Sequence, residues 1–305
     1  MRANVLVLGA MGWALTVPTA CGRLGFNAPR VADASPATDS TSTENNAASD
    51  AFVFGPWSAP VPLISLNTSR DDSDPDLRAD GLELVFHSNQ LGGAGGYDLY
   101  RATRANRTDP FSAPEMIVPL ATAGDELGPS LSSDALTLMF SNGQDIMFAT
   151  RINTASPFGA AQLVPALSSA DVDTAPALSG NGQIAMIVRG TLAARELWIY
   201  SRTMDGPLNI GWTAGALAAE LNSTLTESSP ELDDAGRTVY FHGDRIGINN
   251  DDIFTATRTS ITVPFATPMP IPELMSSFDD GDPTLTDDGR MMVFHRELDL
   301  QQMTR

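Results

Sequence analysis

The chain has 305 residues, 42% of them hydrophobic, which suffices for one large domain or two ordinary ones around a sizeable core. Its 37 acidic against 18 basic residues give a formal net charge of −19, which repels phosphate backbones, excludes nucleic acid as a partner and makes cations or basic surfaces the natural complements. A single cysteine excludes any internal disulfide.

Residues 1–21 read as a secretory signal peptide: Arg2, an apolar run, then small residues, too short to span a membrane comfortably. Cys21 follows Thr19 and Ala20 at the place where such a signal is cut, and in this it resembles the lipid-acceptor cysteine of bacterial lipoproteins, with Pro18 where that family prefers Leu. The resemblance implies a lipid on Cys21 and an envelope location, at the outer membrane facing periplasm or cell surface. The alternative is ordinary signal cleavage beside an idle thiol. Residues 22–55 are rich in Ser, Thr, Ala, Asp and Asn and read as a disordered tether.

From residue 56 one pattern recurs five times. Pro75, Pro129, Pro176, Pro230 and Pro283 are 54, 47, 54 and 53 residues apart. Two places after each stands Leu77, Leu131, Leu178, Leu232 or Leu285, and nine places before each stands Leu66, Leu120, Leu167, Leu221 or Leu274. Eighteen places before is a large aromatic: Trp57, Phe111, Phe158, Trp212 or Phe265. Each copy continues through a turn centred on Gly81, Ala135, Gly182, Gly236 or Gly289, then an apolar run such as LELVF, then a run such as DLYRATR that ends on Arg104, Arg151, Arg202, Arg258 or Arg305.

These segments predict four strands per copy, called a (from the proline), b, c and d in chain order. Strand d carries prolines such as Pro60, Pro62, Pro114 and Pro119, which cannot donate to a ladder, so d belongs at an outer edge. Four antiparallel strands in about 50 residues make a β-propeller blade. The last copy has a, b and c and ends on ELDLQQMTR, while an orphan d-like stretch, residues 57–66, precedes the first. The expectation is an all-β, five-bladed propeller over 56–305, closed by the N-terminal strand pairing with residues 298–305.

FHSNQLGGAGGYDLYRATR (86–104), FHGDRIGINNDDIFTATR (241–258) and ESSPELDDAGRTVYF (227–241) resemble TolB-like (WD40-like) β-propeller repeats. Those domains commonly have six blades, whereas this chain carries five copies, and copy three departs most, with AMIVRG in place of the aromatic and polar turn. The resemblance implies an envelope protein that works through protein contacts, with no catalytic residues to carry over.

Three polar sets are expected on the face formed by the d–a and b–c connections. One is the acid three places before each proline: Asp72, Glu126, Asp173, Glu227 and Asp280. A second opens strand c: Asp98, Asp145, Glu196, Asp252 and Asp299. The third is all the histidine in the chain, His87, His242 and His295, each twelve residues after its proline. One reading makes this face a ligand site, with the acids holding a cation such as calcium near the channel. The other has each acid accept hydrogen bonds from turn amides or pair with His or Arg, which blade symmetry favours because catalysis needs unlike roles. No cofactor and no small-molecule substrate is indicated. The expected function is non-catalytic binding or scaffolding through an envelope protein partner; the alternatives are a glycan-active hydrolase and a carbohydrate-binding propeller, classes that five-bladed propellers include.

Overall fold

The structure is a computed structural model and describes residues 55–305 apart from 192–193, 205 and 246–249. The signal peptide, Cys21 and the tether up to residue 54 lie outside the described residues.

The described residues form five four-stranded antiparallel sheets. Strand β1 (Val61–Pro62) comes first in the chain, and blade one follows as β2 (Asp72–Leu77), β3 (Glu83–Ser88), β4 (Asp98–Thr103) and β5 (Glu115–Met116). Blade two holds β6 (Leu127–Leu131), β7 (Thr137–Ser141), β8 (Ile146–Thr150) and β9 (Gln162–Leu163). Blade three holds β10 (Asp173–Leu178), β11 (Ile184–Thr191), β12 (Ala194–Ser201) and β13 (Ala216–Leu217). Blade four holds β14 (Glu227–Leu232), β15 (Thr238–Gly243), β16 (Asp252–Thr257) and β17 (Met269–Pro270). Blade five combines β18 (Asp280–Leu285), β19 (Met291–Arg296) and β20 (Asp299–Thr304) with β1, which pairs Val61 with Gln302 and Pro62 with Gln301. The inner strands touch in the cyclic order β2, β6, β10, β14, β18 and back to β2, so the protein is a five-bladed β-propeller closed as its repeats require.

The outer strands are shorter than the ten-residue stretches read from the sequence. Each pairs over two residues, because proline-rich segments have too few donors to extend the ladder. Flanking bonds from Ser58 N to Thr304 O and from Leu63 N to Leu300 O tie the seam at 2.8 and 2.9 Å.

Five apolar clusters sit between successive blades, one per interface. The run of strand b is apolar on both alternating faces because each face meets a neighbouring blade. Phe86, Phe140, Phe241 and Phe294, at one repeat position, are fully buried, and Ile187 fills that place in blade three. Each such ring contributes about 2–3 kcal/mol by leaving water. The repeated Leu66, Leu120, Leu167, Leu221 and Leu274 are buried too and anchor the d–a turns.

The repeated arginine closing strand c stacks on the repeated aromatic that opens strand d. Its guanidinium lies 4.1 Å from the Phe111 ring for Arg104, 4.6 Å from Phe158 for Arg151, 5.5 Å from Trp212 for Arg202 and 4.3 Å from Phe265 for Arg258. The Arg104, Arg151 and Arg258 side chains also donate to the carbonyl of the a–b turn residue, at 2.7 to 2.8 Å.

Candidate functional site

The acids before the prolines are buried at the start of the inner strands, where each fastens a turn or an arginine. Thr68 N donates to Asp72 Oδ2 at 2.6 Å, and Ser223 N to Glu227 Oε2 at 3.0 Å. Thr122 donates both N and Oγ1 to Glu126. Arg189 binds Asp173 at 2.6 Å, Arg245 binds Glu227 at 2.9 Å and Arg296 binds Asp280 at 2.6 Å.

The histidines lie elsewhere. Ser73, and not Asp72, stands opposite His87 in the β2–β3 register, so acid and imidazole point to opposite faces of the blade. Asp72 looks toward blade five and His87 toward blade two, where it accepts from Gly128 N at 3.3 Å. The two sets therefore do not form one ring. Instead the imidazoles meet a third group of residues that the repeat pattern did not single out.

That group is the residue just before each repeat proline: Asp74, Gly128, Ala175, Ser229 and Asp282. All five have positive φ, between 43° and 55°, and each marks a β-bulge in its inner strand. A residue before proline is normally extended, so this ring is a strained waist, repeated five times, at the centre of the propeller. Its void is only about 20 Å³, no more than a water.

At this waist the polar contacts are unlike from blade to blade. Asp282 receives Asp74 N at 3.1 Å and faces His242 Nδ1 at 3.3 Å, with His295 Nδ1 at 3.8 Å. Asp74 accepts from Ser229 Oγ at 2.7 Å and lies 3.3 Å from His87 Nδ1. Burial and then the Asp282 charge hold Asp74 well above the usual carboxylate range. Burial also opposes charge on Asp282, but the hydrogen bond and charge of His242 outweigh it and hold that carboxyl well below. His242 is correspondingly raised against its own burial by Asp282, whereas burial lowers His87 to about 4.

The opposite mouth, ringed by the a–b turns, opens into a cavity of about 270 Å³. Asp76 and Glu231 line it, each the residue after its repeat proline, a position that Ser130, Ala177 and Thr284 occupy in the other blades. All of these side chains but that of Ala177 clasp the next blade, as where Thr284 Oγ1 accepts from Leu77 N at 2.9 Å and Ser130 Oγ from Leu178 N at 3.2 Å. Asp76 and Glu231 make the same bond, to Leu131 N and Leu285 N. Two blades thus use a carboxyl where a hydroxyl serves in two others. Burial raises Asp76 to about 7 and, with the Asp76 charge, holds Glu231 well above its ordinary value. Around the rim stand Asp233, Asp234, Asp287 and Asp288, against the basic Arg78 and Arg305. This acidic mouth was missed in the sequence because its signal is variation at one offset, not repetition.

The described residues contain no group of three or more His, Cys, Asp or Glu side chains arranged to hold a metal ion. Nor do they include a helix long and apolar enough to cross a membrane.

A scan against models of protein families finds no match, and neither does a search of curated proteins. Among solved structures the chain is similar to a thermostable family-43 glycoside hydrolase, at 12% identity over 78% of this chain and 90% of that one, with a TM-score of 0.54. It is also similar to an endo-1,4-β-xylanase from Bacteroides thetaiotaomicron, at 15% identity over 78% and 92%, with a TM-score of 0.51. A TolB candidate from Agrobacterium tumefaciens matches at 18% identity over 78% and 76%, with a TM-score of 0.47. Similarity at this level is similarity of fold.

Proposed function

We propose that the chain is a non-catalytic binding propeller tethered at the bacterial cell envelope through Cys21, and that it takes a cationic group of a protein partner into the acidic a–b mouth. The observation behind this reading is that the roughly 270 Å³ cavity has six carboxyls in its wall, two of them pushed toward the protonated form, Asp76 by burial and Glu231 by burial and then the Asp76 charge. A lysine or arginine side chain entering it displaces those protons and relieves the repulsion. Arg78 adds little opposing charge, because Asp80 and Glu83 already hold it.

The requirements of hydrolysis are divided between two places. A glycosidase needs one protonated and one ionised carboxyl with room for a sugar between them. The waist offers that split in Asp74 and Asp282 without the room; the mouth offers the room, with both Asp76 and Glu231 pushed toward the protonated form.

The test is fluorescence polarisation of labelled Lys/Arg-rich peptides against the protein and its Asp234→Asn/Asp287→Asn variant. The expected result is binding that tightens from pH 6 to 8, weakens with salt and is largely lost in the variant. An absence of binding at low ionic strength would overturn the proposal.

Glycan hydrolysis is the second reading, and what favours it is that the carboxyls Asp76 and Glu231 differ from their counterparts Ser130, Ala177 and Thr284. Release of sugar from xylan or arabinan, abolished by Glu231→Gln, would establish it over the first.

A further inference from the structure

In blades three, four and five the buried acid of the inner strand is paired with an arginine, Arg189 and Arg296 within strand b and Arg245 two residues beyond its end. Blade four shows the full arrangement, in which a loop amide from Ser223 binds one oxygen of Glu227 and the Arg245 guanidinium binds the other. Blade one reproduces half of it. Thr68 N binds Asp72 Oδ2, but fifteen residues after the repeat proline, where blade four has Arg245, stands Gln90. Asp72 Oδ1 is buried and has no hydrogen-bond partner.

A second carboxylate shares this place. The register pairs Asp72 with Ser88 and Ser88 with Asp98, so three adjacent strands present Asp72, Ser88 and Asp98 on one face, with the two acids about 10 Å apart at Cα. Both acids are fully buried. Asp98 Oδ2 accepts from Ala94 N and Gly95 N at 2.8 and 3.3 Å, while Asp98 Oδ1, like Asp72 Oδ1, has no partner. The amide nitrogen of Gln90 is unpartnered as well, so three of the eight such buried atoms among the described residues belong to this end of blade one. The Asp252 carboxyl of blade four is also without a hydrogen-bond partner, but its loop runs through residues 246–249, outside the described residues.

Two buried carboxyl groups, each held at one oxygen by backbone amide and bare at the other, with no arginine beside them, leave polar oxygens unsatisfied, which is costly in a protein interior. We infer that blade one carries a binding site for a hard, oxygen-seeking divalent cation of the calcium class between Asp72 Oδ1 and Asp98 Oδ1, replacing the guanidinium that blade four supplies from its own chain. The Ser88 hydroxyl lies between the two acids, and rotation of the Gln90 amide turns its oxygen inward; water completes the six to eight oxygens such an ion takes. The glycine-rich loop, residues 91–96, is the lid of this site. A Cβ on Gly93 would stand 2.2 Å from Asp98 Oδ2, so only glycine lets the backbone close over the carboxylate. The Tyr100 phenol, raised by burial and then by the charge of Asp98 and also of Asp72, is near enough to sensitise a bound lanthanide.

The experiment is thermal unfolding of the EDTA-stripped protein with calcium, magnesium or EDTA, together with terbium luminescence excited through tyrosine. The protein is expected to melt several degrees higher in calcium and to give terbium emission that calcium competes away. Asp98→Asn is expected to lose both responses. Gln90→Arg, which rebuilds the blade-four arrangement, is expected to melt in EDTA as high as the original protein does in calcium and to ignore the metal. Equal melting in calcium and EDTA without terbium emission overturns the proposal, and so does an undiminished calcium response in Gln90→Arg, which would put the ion elsewhere. If Asp98→Asn fails to fold, Gln90→Arg alone decides.

Discussion

The guanidinium of Arg305 lies 4.1 Å from the centre of the Trp57 ring, and its Nε donates to Gly289 O at 2.7 Å. The other blades make their arginine–aromatic contact between residues close in sequence; blade five makes it across the seam. Stacking and hydrogen bond together are worth about 1–2 kcal/mol. Arg305→Ala is therefore expected to lower the melting temperature by about 3–6 °C, with a double-mutant cycle against Trp57→Ala giving a coupling near 1 kcal/mol. Deleting residues 56–66 removes β1, Trp57 and Leu66 together and should lower thermal stability far more. A melting temperature unmoved by the deletion would sink closure by this strand.

Glu83 is the buried centre of a second inter-blade contact. Arg151 of blade two reaches its carboxylate with two nitrogens at 2.8 and 2.9 Å, and Arg101 and Arg78 approach at 2.5 and 3.2 Å. Burial opposes the charge, but the Arg151 and Arg101 hydrogen bonds outweigh it and hold the pKa below its ordinary value. Glu83→Gln leaves the fully enclosed Arg151 without its counter-charge and is expected to cost about 3–5 kcal/mol in chemical denaturation. A loss under 1 kcal/mol would mean that solvent reaches the guanidinium.

Asp76 makes stability depend on pH in the sense opposite to Glu83. Its folded pKa of about 7 lies above the ordinary 3.8, so the folded state keeps a proton that the unfolded chain gives up as pH rises. Its contribution is complete below about pH 4 and is lost as pH climbs to 7, by about 4 kcal/mol at most. Glu231, shifted in the same direction, adds to the fall. Asp76→Asn is expected to melt higher than the original protein at pH 8 and to show a flatter profile between pH 5 and 8. Parallel profiles for the two proteins would refute the assignment.

Much of this architecture is readable from residues that recur at fixed offsets. Leu66 and its four counterparts, the turn glycines and the prolines of strand d each answer to a local demand of packing or backbone, which five copies make visible. The sites answer to register and to differences between copies. A bulge at Asp74 decides that Ser73 and not Asp74 stands opposite His87, and this shift of one residue puts Asp72 on the other face of the sheet from the imidazole. Arg104 and Phe111 were both evident as repeated positions, yet nothing in one dimension joins them. Asp76, Glu231 and Gln90 stand out only against the hydroxyls and arginine that other copies carry at the same offsets, so a search for sameness passes over them.

The waist supplies a test of how tightly that repetition is enforced. Asp74, Ala175, Ser229 and Asp282 tolerate positive φ with a side chain attached, while blade two has Gly128 at φ 55°. Conformation alone does not demand the glycine, since four counterparts manage without it. Space does: a Cβ at Gly128 would lie 2.7 Å from Ala175 Cα and 3.1 Å from Ala175 N, and backbone of the next blade cannot swing aside as a flexible side chain can. Gly128→Ala must therefore push β6 and β10 apart, at an expected cost of about 1–3 kcal/mol and a visible fall in melting temperature. Ser229→Ala, at the same position and φ in blade four, removes only the hydroxyl bond to Asp74 and should cost about 1 kcal/mol. If the two substitutions cost the same, the waist is governed by backbone conformation and not by the approach of blade two to blade three.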